Sequence, residues 1–440
     1  MSNEPVPNDP ASQPPPEGSR LGHALVAIAI IVVGVVLLAL LAPTSPIIDV
    51  PAVSKELTGL PANQLTKSPP IPAFYNVSNV APAKPGTLVK SEPAVGAQPG
   101  VQASRFIYHS TDNNNQDQVV SGLYVKPSSP PPPGGFPLIT LTHGTTGTNR
   151  HCGISLTPFE ANTPGYSTYN SQIEPLVKQG YAVVATDYQG MGAPGDPSYL
   201  VGQIEGRNAL DAVRAVHNWQ PDVNKSKTII WGHSQGGHAS AFAAQIAHTY
   251  APELQIQGAA VLAPGLLPSL PAAVQSLVGN PEPSGQTGFV MMIAASWSKI
   301  YANQMQPSTI LTPEGVAKLP AVNEVCGNQV YDLFQKAPMS TFVNDPVPAI
   351  FYTLATENTP GSEKIQMPLI LVQGMKDTTI IPQLTLAFDK QLCEMNNTVD
   401  FHIYPNDTHP GVVINSRGLI ESWIKDRFAG IPAPNNCTNQ

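Results

Sequence analysis

The fold of this chain is predicted most directly by the stretch Thr228-Ile-Ile-Trp-Gly-His-Ser-Gln-Gly-Gly237. It begins with an apolar, β-branched run, turns at Gly232-His-Ser-Gln-Gly236, and continues into an alanine-rich segment typical of a helix. A G-x-S-x-G pattern between a strand and a helix holds its serine at the tip of a sharp turn, where glycines let strand and helix pass closely. We therefore predict that Ser234 is a nucleophile. The alternative is a glycine-rich turn that carries a solvent-facing serine.

Strand-like and helix-like segments alternate along most of the chain, which indicates an α/β fold with a mainly parallel sheet covered on both faces by helices. The predicted strands are 104–110, 122–125, 138–142, 181–186, 256–262, 368–372 and 399–404. The predicted helices are 205–219, 382–393 and 412–428. Residues 268–363 interrupt this alternation, so we predict an inserted helical cap there. Its apolar run at 289–293 would form either an acyl-chain pocket or the core of the cap.

Composition limits the possible partners and the compartment. The net charge is −8 and no cluster of Lys and Arg is present, which argues against a nucleic-acid partner. The cysteines form no C-x-x-C pair, and their spacing offers no metal site. Their even number predicts two disulfides with three possible connectivities, and disulfides are typical of extracytoplasmic proteins. The four cysteines are Cys152, Cys326, Cys393 and Cys437.

The N-terminal region is predicted to lie outside the globular domain. Residues 1–20 are polar and proline-rich, as in a disordered tail. Residues 21–42 contain an uncharged run long enough to cross a bilayer, which favours an uncleaved membrane anchor over a cleaved signal segment. Residues 43–74 form a proline-rich linker. The globular domain would then span residues 75–440, outside the cytoplasm, and the sequence does not indicate its oligomeric state.

The predicted strand ends supply partners for Ser234. A serine hydroxyl needs a base to take its proton, and the base needs an orienting carboxylate. In α/β-hydrolases these residues follow in the order serine, acid, histidine. Asp377 comes shortly after strand 368–372, and His409 comes shortly after strand 399–404. We predict that His409 is the general base and that Asp377 orients it.

Other titratable residues fit these roles less well. His402 lies inside a predicted strand, and Asp400 lies at the wrong end of that strand. Asp407 is typical of a turn. His238 falls one turn into the helix after Ser234, and His233 occupies the variable position of the turn. We predict structural or packing roles for these residues and for Asp187.

The oxyanion of an acyl-transfer reaction needs preorganised donors. One is predicted to be the backbone N–H of Gln235, the residue after the nucleophile. The second is predicted in the loop His143-Gly-Thr-Thr-Gly147, from Gly144, Thr145 or Thr146, although the loop could also be an ordinary turn. No cofactor is implied, because the glycines at 190–195 lack the strand-to-helix setting of a dinucleotide site.

Together these motifs resemble the secretory lipase family of α/β-hydrolases, which includes fungal secreted lipases and related bacterial exported lipases. The resemblance extends over about residues 75–437 and is carried by four stretches. They are His143-Gly-Thr-Thr-Gly147 with Cys152 shortly after it, Gly180-Tyr-Ala-Val-Val-Ala-Thr-Asp-Tyr-Gln-Gly190, Trp231-Gly-His-Ser-Gln-Gly-Gly237 and Gln373-Gly-Met-Lys-Asp377.

The resemblance implies a lipase or carboxylesterase that uses Ser234, Asp377 and His409, with a lid formed by residues 268–363. It also implies disulfides between Cys152 and Cys326 and between Cys393 and Cys437. The expected activity is cleavage of a lipid or other carboxylic ester through an acyl-enzyme, with triacylglycerol as one possible substrate. Two alternatives are an acyltransferase that acts on cell-envelope lipids or alcohols and a non-catalytic binding protein anchored at the surface.

Overall fold

A computed structural model of the chain describes residues 71–437, and nine strands in this part form one sheet. The strands are β1 Leu88–Pro93, β2 Val101–Thr111, β3 Asp117–Pro127, β4 Phe136–Thr142, β5 Ala182–Thr186, β6 Val223–His233, β7 Ile256–Leu262, β8 Leu369–Gly374 and β9 Val399–Tyr404. Their order in the sheet is β1-β2-β3-β5-β4-β6-β7-β8-β9. The neighbouring strands β1/β2, β2/β3 and β3/β5 are antiparallel, and the remaining neighbours, from β5 to β9, are parallel.

Helices connect the parallel strands and cover the sheet. The α-helices are Pro164–Thr168, Glu174–Lys178, Gly202–Trp219, Gln235–Tyr250, Leu270–Val278, Thr287–Ile300, Pro307–Ile310, Pro313–Val322, Gln329–Phe334, Ala349–Glu357, Pro382–Glu394, Gly411–Asn415 and Arg417–Phe428. The shorter helical turns are Ala73–Tyr75, Arg150–Cys152, Tyr169–Ile173 and Met339–Thr341. Strands β5 and β8 are buried along their whole length, as expected for strands packed on both faces. Since these strands run in one direction, their carboxyl ends meet at one edge.

Two local predictions differ from the structure. The helix predicted for 412–428 is broken at Ser416, which separates Gly411–Asn415 from Arg417–Phe428. The hydroxyl of Ser416 donates to the carbonyl of Val412 at 2.6 Å, and such back-bonding bends a helix. Strand β1 was not predicted, because Leu88–Pro93 has no run of buried apolar residues.

Residues 268–363 lie between β7 and β8 and are largely helical. Their apolar side chains form a core together with Tyr199, Leu200, Val201, Ile204 and Leu267, and Trp297 is fully buried in it. Four residues of the run at 289–293 belong to this core, so most of that run serves packing within the cap. These residues are Val290, Met291, Met292 and Ile293. Movement of the cap as a lid stays a prediction.

Two disulfides join the pairs that the resemblance implied. Cys152 is bonded to Cys326, and Cys393 is bonded to Cys437. The first connects the loop after β4 to the inserted cap, and the second connects the helix before β9 to the C-terminal segment.

The predicted tail 1–20, the apolar segment 21–42 and most of the linker 43–74 lie outside the described residues. In the described part, no helix combines the length and the apolarity that a membrane span requires. Tyr75, where the domain was predicted to begin, is completely buried.

Candidate active site

Ser234 lies at a sharp turn between β6 and the helix Gln235–Tyr250. Its φ of 63° and ψ of −123° are unusual for a residue with a side chain. The flanking glycines allow this turn. A Cβ at Gly232 would lie 2.0 Å from the carbonyl oxygen of Gly236, and a Cβ at Gly236 would lie 1.9 Å from the carbonyl oxygen of Thr142. Because both contacts are with backbone, neither glycine can be replaced without moving the chain.

A continuous chain of hydrogen bonds links Ser234 to two later strand ends. The Oγ of Ser234 lies 2.8 Å from Nε2 of His409. The Nδ1 of His409 lies 2.7 Å from Oδ2 of Asp377. Both His409 and Asp377 are buried. The three residues predicted to act together therefore lie in contact.

Backbone amides fix the orientation of the Asp377 carboxylate. Its Oδ1 accepts the N–H groups of Thr379 at 2.9 Å and Ile380 at 2.8 Å, which leaves Oδ2 facing His409. The Nε2 of Gln373 also donates to Oδ2, at 3.2 Å. Gln373 is fully buried, and its own Oε1 accepts the hydroxyl of Thr385. Sequence reasoning gave Gln373 no role, although it begins the stretch that ends at Asp377.

The rival residues make other contacts. His402 pairs with Asp400 at 2.8 Å, two positions away on β9. Asp407 accepts a hydrogen bond from Asn415, as a turn-stabilising residue would. Asp187 is buried and accepts the hydroxyl of Ser121 at 2.6 Å. Burial raises the pKa of Asp187 to about 6. These residues therefore have other partners than Ser234 and His409.

His233 supports His409 directly. Its Nε2 lies 2.9 Å from the backbone carbonyl oxygen of His409, so this nitrogen carries the hydrogen. The two imidazole rings lie 4.4 Å apart, measured between their centroids. Burial lowers the pKa of His233 well below its usual value, which keeps the ring neutral. The packing role predicted for His233 therefore includes a hydrogen bond to the candidate base.

The loop after β4 comes close to Ser234. A Cβ built on Gly144 would lie 3.7 Å from the Cβ of Ser234. Nδ1 of His143 donates to the carbonyl of Gly144 at 2.7 Å, and burial lowers the pKa of His143 to about 4. In a trans peptide the N–H points opposite to the carbonyl. The N–H of Thr145 therefore points away from the His143 ring.

The structure separates the two threonines of this loop. The hydroxyl of Thr146 is buried and directed at the sulfur of Met191, 3.8 Å away. The hydroxyl of Thr145 is partly exposed and lies 3.0 Å from the hydroxyl of Tyr199. Gln235 is the first residue of its helix, so its amide has no acceptor within the helix. The candidate oxyanion donors are therefore the backbone N–H of Gln235 and the backbone N–H and hydroxyl of Thr145.

A buried polar network lies behind Gln235. Glu205 accepts hydrogen bonds from Nε2 of Gln235 at 2.6 Å and contacts Nδ1 of His238 at 3.0 Å. Nε2 of His238 lies 2.8 Å from the carbonyl oxygen of Asn358, at the end of the cap. Because a carbonyl only accepts, Nε2 of His238 carries a hydrogen. No sequence pattern identified this network, since its members lie far apart along the chain.

Within the described residues, no group of three or more His, Cys, Asp or Glu side chains is placed to hold a metal ion.

The segment 325–327 of the cap is joined to the loop after β4 by a disulfide and hydrogen bonds. Besides the Cys152–Cys326 disulfide, Nδ2 of Asn149 donates to the carbonyl of Val325 at 3.0 Å. The N–H of Gly327 donates to the carbonyl of Thr146 at 2.7 Å. These bonds fix one part of the cap beside the candidate oxyanion loop.

Loss of the Cys152–Cys326 bond is expected to lower kcat/KM for ester hydrolysis about tenfold, because small displacements of binding groups are costly to catalysis. The variant Cys152→Ser/Cys326→Ser is compared with Cys393→Ser/Cys437→Ser, in which kcat/KM should stay within about twofold of wild type. Each pair of substitutions is expected to cost about 2–5 kcal/mol in free energy of unfolding. Rates are measured at a temperature where circular dichroism shows both variants folded. Equal losses of activity would contradict a specific role for the first bond.

The chain matches a family model and is similar to several known proteins. The family model described as "Secretory lipase" matches residues 158–436, which is more than half of the chain. The chain is 23% identical to "Lipase A" of Moesziomyces aphidis, over 82% of this chain and 80% of that protein. It is 24% identical to the "Probable inactive lipase MT1628" of Mycobacterium tuberculosis, over 82% of each chain.

Solved structures support the fold prediction. The chain matches the closed state of Candida antarctica lipase A with a TM-score of 0.70 and 20% identity, covering 84% of this chain and 90% of that one. A likeness at this identity shows the fold, and the predicted α/β-hydrolase fold is confirmed.

Proposed function

Because the chain belongs to the secretory lipase family and is a carboxylic ester hydrolase, we propose that it cleaves esters through an acyl-enzyme on Ser234. The observation that carries this proposal is the hydrogen-bond chain from Ser234 through His409 to Asp377. His409 is placed to take the proton of the serine hydroxyl, and Asp377 is placed to hold the correct imidazole tautomer.

The proposed reaction has two halves. In the first, Oγ of Ser234 attacks the acyl carbon while its proton passes to Nε2 of His409. The tetrahedral intermediate expels the alcohol, which takes the proton from His409, and the acyl group stays on Ser234. In the second half, His409 deprotonates a water molecule that attacks the acyl carbon. The free acid leaves, and Ser234 regains its proton. Asp377 stabilises the imidazolium that forms in each half.

We assign stabilisation of the oxyanion to Gln235 and Thr145. The amide of Gln235 starts the helix after the nucleophile, where the helix dipole also favours negative charge. The Thr145 amide points away from His143, and the Thr145 hydroxyl is partly exposed. Gly144 contributes close approach to Ser234, and Thr146 supports the loop. Each such donor typically contributes a factor of about 10²–10³ to kcat.

The substrate class follows from the family. We propose an acyl ester of a lipid, with acylglycerols as natural candidates, because the relatives that the chain matches are lipases by name. An acyltransferase is the second candidate, since an alcohol could replace water in the second half of the reaction at the same site.

A non-catalytic role, the remaining alternative from the sequence, is disfavoured, although one relative is named a probable inactive lipase. A binding protein would not need a serine, a histidine and a carboxylate in mutual contact. The observed geometry therefore favours catalysis in this chain.

The test is hydrolysis of p-nitrophenyl esters with acyl chains from acetate to palmitate, with and without an added alcohol. The hydrolase proposal predicts release of nitrophenol and free acid by the wild type. Predominant transfer to the alcohol in dilute solution would favour the acyltransferase. Absence of turnover on every ester would contradict the catalytic proposal.

We further propose that the domain works outside the cytoplasm, tethered by residues 21–42. The family and the two disulfides support an exported protein. In cells that express the full chain, the protein should stay in the membrane fraction until detergent is added, with a mass that includes residues 1–42. A shorter, freely released protein would instead indicate cleavage.

A further inference from the structure

Tyr199 lies where the inserted cap meets the candidate oxyanion loop. Its hydroxyl lies 3.0 Å from Oγ1 of Thr145. Its backbone carbonyl accepts a hydrogen bond of 3.1 Å from Nε1 of Trp297, a cap residue that is fully buried. Tyr199 is itself buried among the apolar side chains of the cap. The phenol is therefore held firmly, and it presents its one polar atom to Thr145.

The contact between Tyr199 and Thr145 has a favoured donor. Burial raises the pKa of Tyr199 far above its usual value, so the phenol keeps its hydrogen. Within the described residues, Thr145 is the hydrogen-bond partner of that hydroxyl. A buried O–H that failed to donate would lose a hydrogen bond without compensation from water. Donation from Tyr199 to Oγ1 of Thr145 is thus the favoured arrangement.

That arrangement decides the direction of the Thr145 hydroxyl. A hydroxyl has one hydrogen and two acceptor positions. When Oγ1 accepts from Tyr199, its own hydrogen must turn to another acceptor. Thr145 follows Gly144, whose backbone lies against Ser234, and its side chain is partly exposed at the cleft. We expect that acceptor to be the oxyanion that forms on an acyl group bound to Ser234.

We propose that Tyr199 is a positioning residue, whose phenol donates to Thr145 so that the Thr145 hydroxyl is preset to donate to the oxyanion. This inference rests on the proposed acyl-enzyme reaction at Ser234. It links the cap to the catalytic arrangement, because Trp297 of the inserted segment donates to the backbone carbonyl of Tyr199. The gain is preorganisation, since the donor is oriented before charge develops.

The test is a double-mutant cycle on Tyr199→Phe and Thr145→Val, measured with a p-nitrophenyl ester that the wild type hydrolyses. Tyr199→Phe should lower kcat about tenfold and change KM less than about twofold, because orientation matters mainly in the transition state. Thr145→Val should lower kcat about 10²-fold. In the Thr145→Val background, Tyr199→Phe should have no further effect, since residues acting through one group are not additive.

Two controls separate orientation from simple packing. Thr145→Ser keeps the hydroxyl and should retain most of the activity and the sensitivity to Tyr199→Phe. Tyr124→Phe removes another buried phenol, on β3, and should leave kcat unchanged. Melting temperatures of all variants are measured in parallel to detect loss of stability.

The test distinguishes failure of the role proposed for Tyr199 from failure of the proposed acyl-enzyme reaction. If the wild type hydrolyses the ester and Ser234→Ala does not, the acyl-enzyme proposal stands. The role of Tyr199 is then overturned if its substitution has no effect, changes KM alone, or costs the same factor in the presence and absence of the Thr145 hydroxyl. If the wild type does not hydrolyse esters, the proposed function and the role of Tyr199 are both overturned.

Discussion

Replacing Ser234 with alanine is expected to lower kcat/KM for p-nitrophenyl esters by a factor of about 10⁴ or more. The substitution removes the oxygen that forms the acyl-enzyme but keeps the turn, since alanine needs less space than serine. Initial rates are measured with wild type and variant purified in the same way. Binding of the ester is expected to change little, so the loss should appear in kcat.

A matched control lies in the helix that follows the nucleophile. Ser240 is buried in the helix Gln235–Tyr250 and donates to the carbonyl of Gly237. Ser240→Ala also removes a buried hydroxyl near the site, and it should keep kcat/KM within a few-fold of wild type. Activity that survives in Ser234→Ala would mean that another residue forms the acyl-enzyme or that the reaction needs none.

Replacing Asp377 with asparagine is expected to lower kcat about 10⁴-fold, as observed for the equivalent change in a serine protease triad. The amides of Thr379 and Ile380 donate to Oδ1, so they will hold the side-chain oxygen of the new asparagine in that position. The NH₂ group then faces Nδ1 of His409, which must become an acceptor. The remaining hydrogen moves to Nε2, where it prevents His409 from taking the serine proton.

The control for this experiment is Asp407→Asn. Asp407 was the nearest rival carboxylate in sequence, because it lies two positions before His409. In the structure its side chain accepts a hydrogen bond from Asn415. Its substitution should change kcat by no more than a few-fold. A large loss in Asp407→Asn together with full activity in Asp377→Asn would reverse the assignment. Circular dichroism and melting temperature confirm that each variant is folded.

The positions of the candidate residues could be predicted because the signals are local. Asp377 and His409 each follow a short apolar strand, and parallel strands bring their carboxyl ends to one edge. The strands 256–262 and 399–404 have the predicted bounds. The turn at Ser234 was predictable from the glycines on either side of it.

The supporting contacts could not be predicted from local patterns. Glu205 meets His238 because the helix Gly202–Trp219 packs against the helix after Ser234, and Asn358 joins them from the cap. The contact between Tyr199 and Thr145 likewise joins segments that have no shared sequence signal. Disulfide connectivity was open on the cysteine count alone, and the resemblance supplied the pairing.

The central claim is that Ser234 is the nucleophile activated by His409. It is tested most directly by incubating the protein with diethyl p-nitrophenyl phosphate, which phosphorylates activated serines, and locating the adduct by peptide mass spectrometry. We predict one diethylphosphoryl group on Ser234 in the wild type, loss of esterase activity in proportion to labelling, and strongly reduced labelling in His409→Ala. An active enzyme that is labelled at another residue, or whose Ser234 stays unlabelled while activity is lost, would contradict the account.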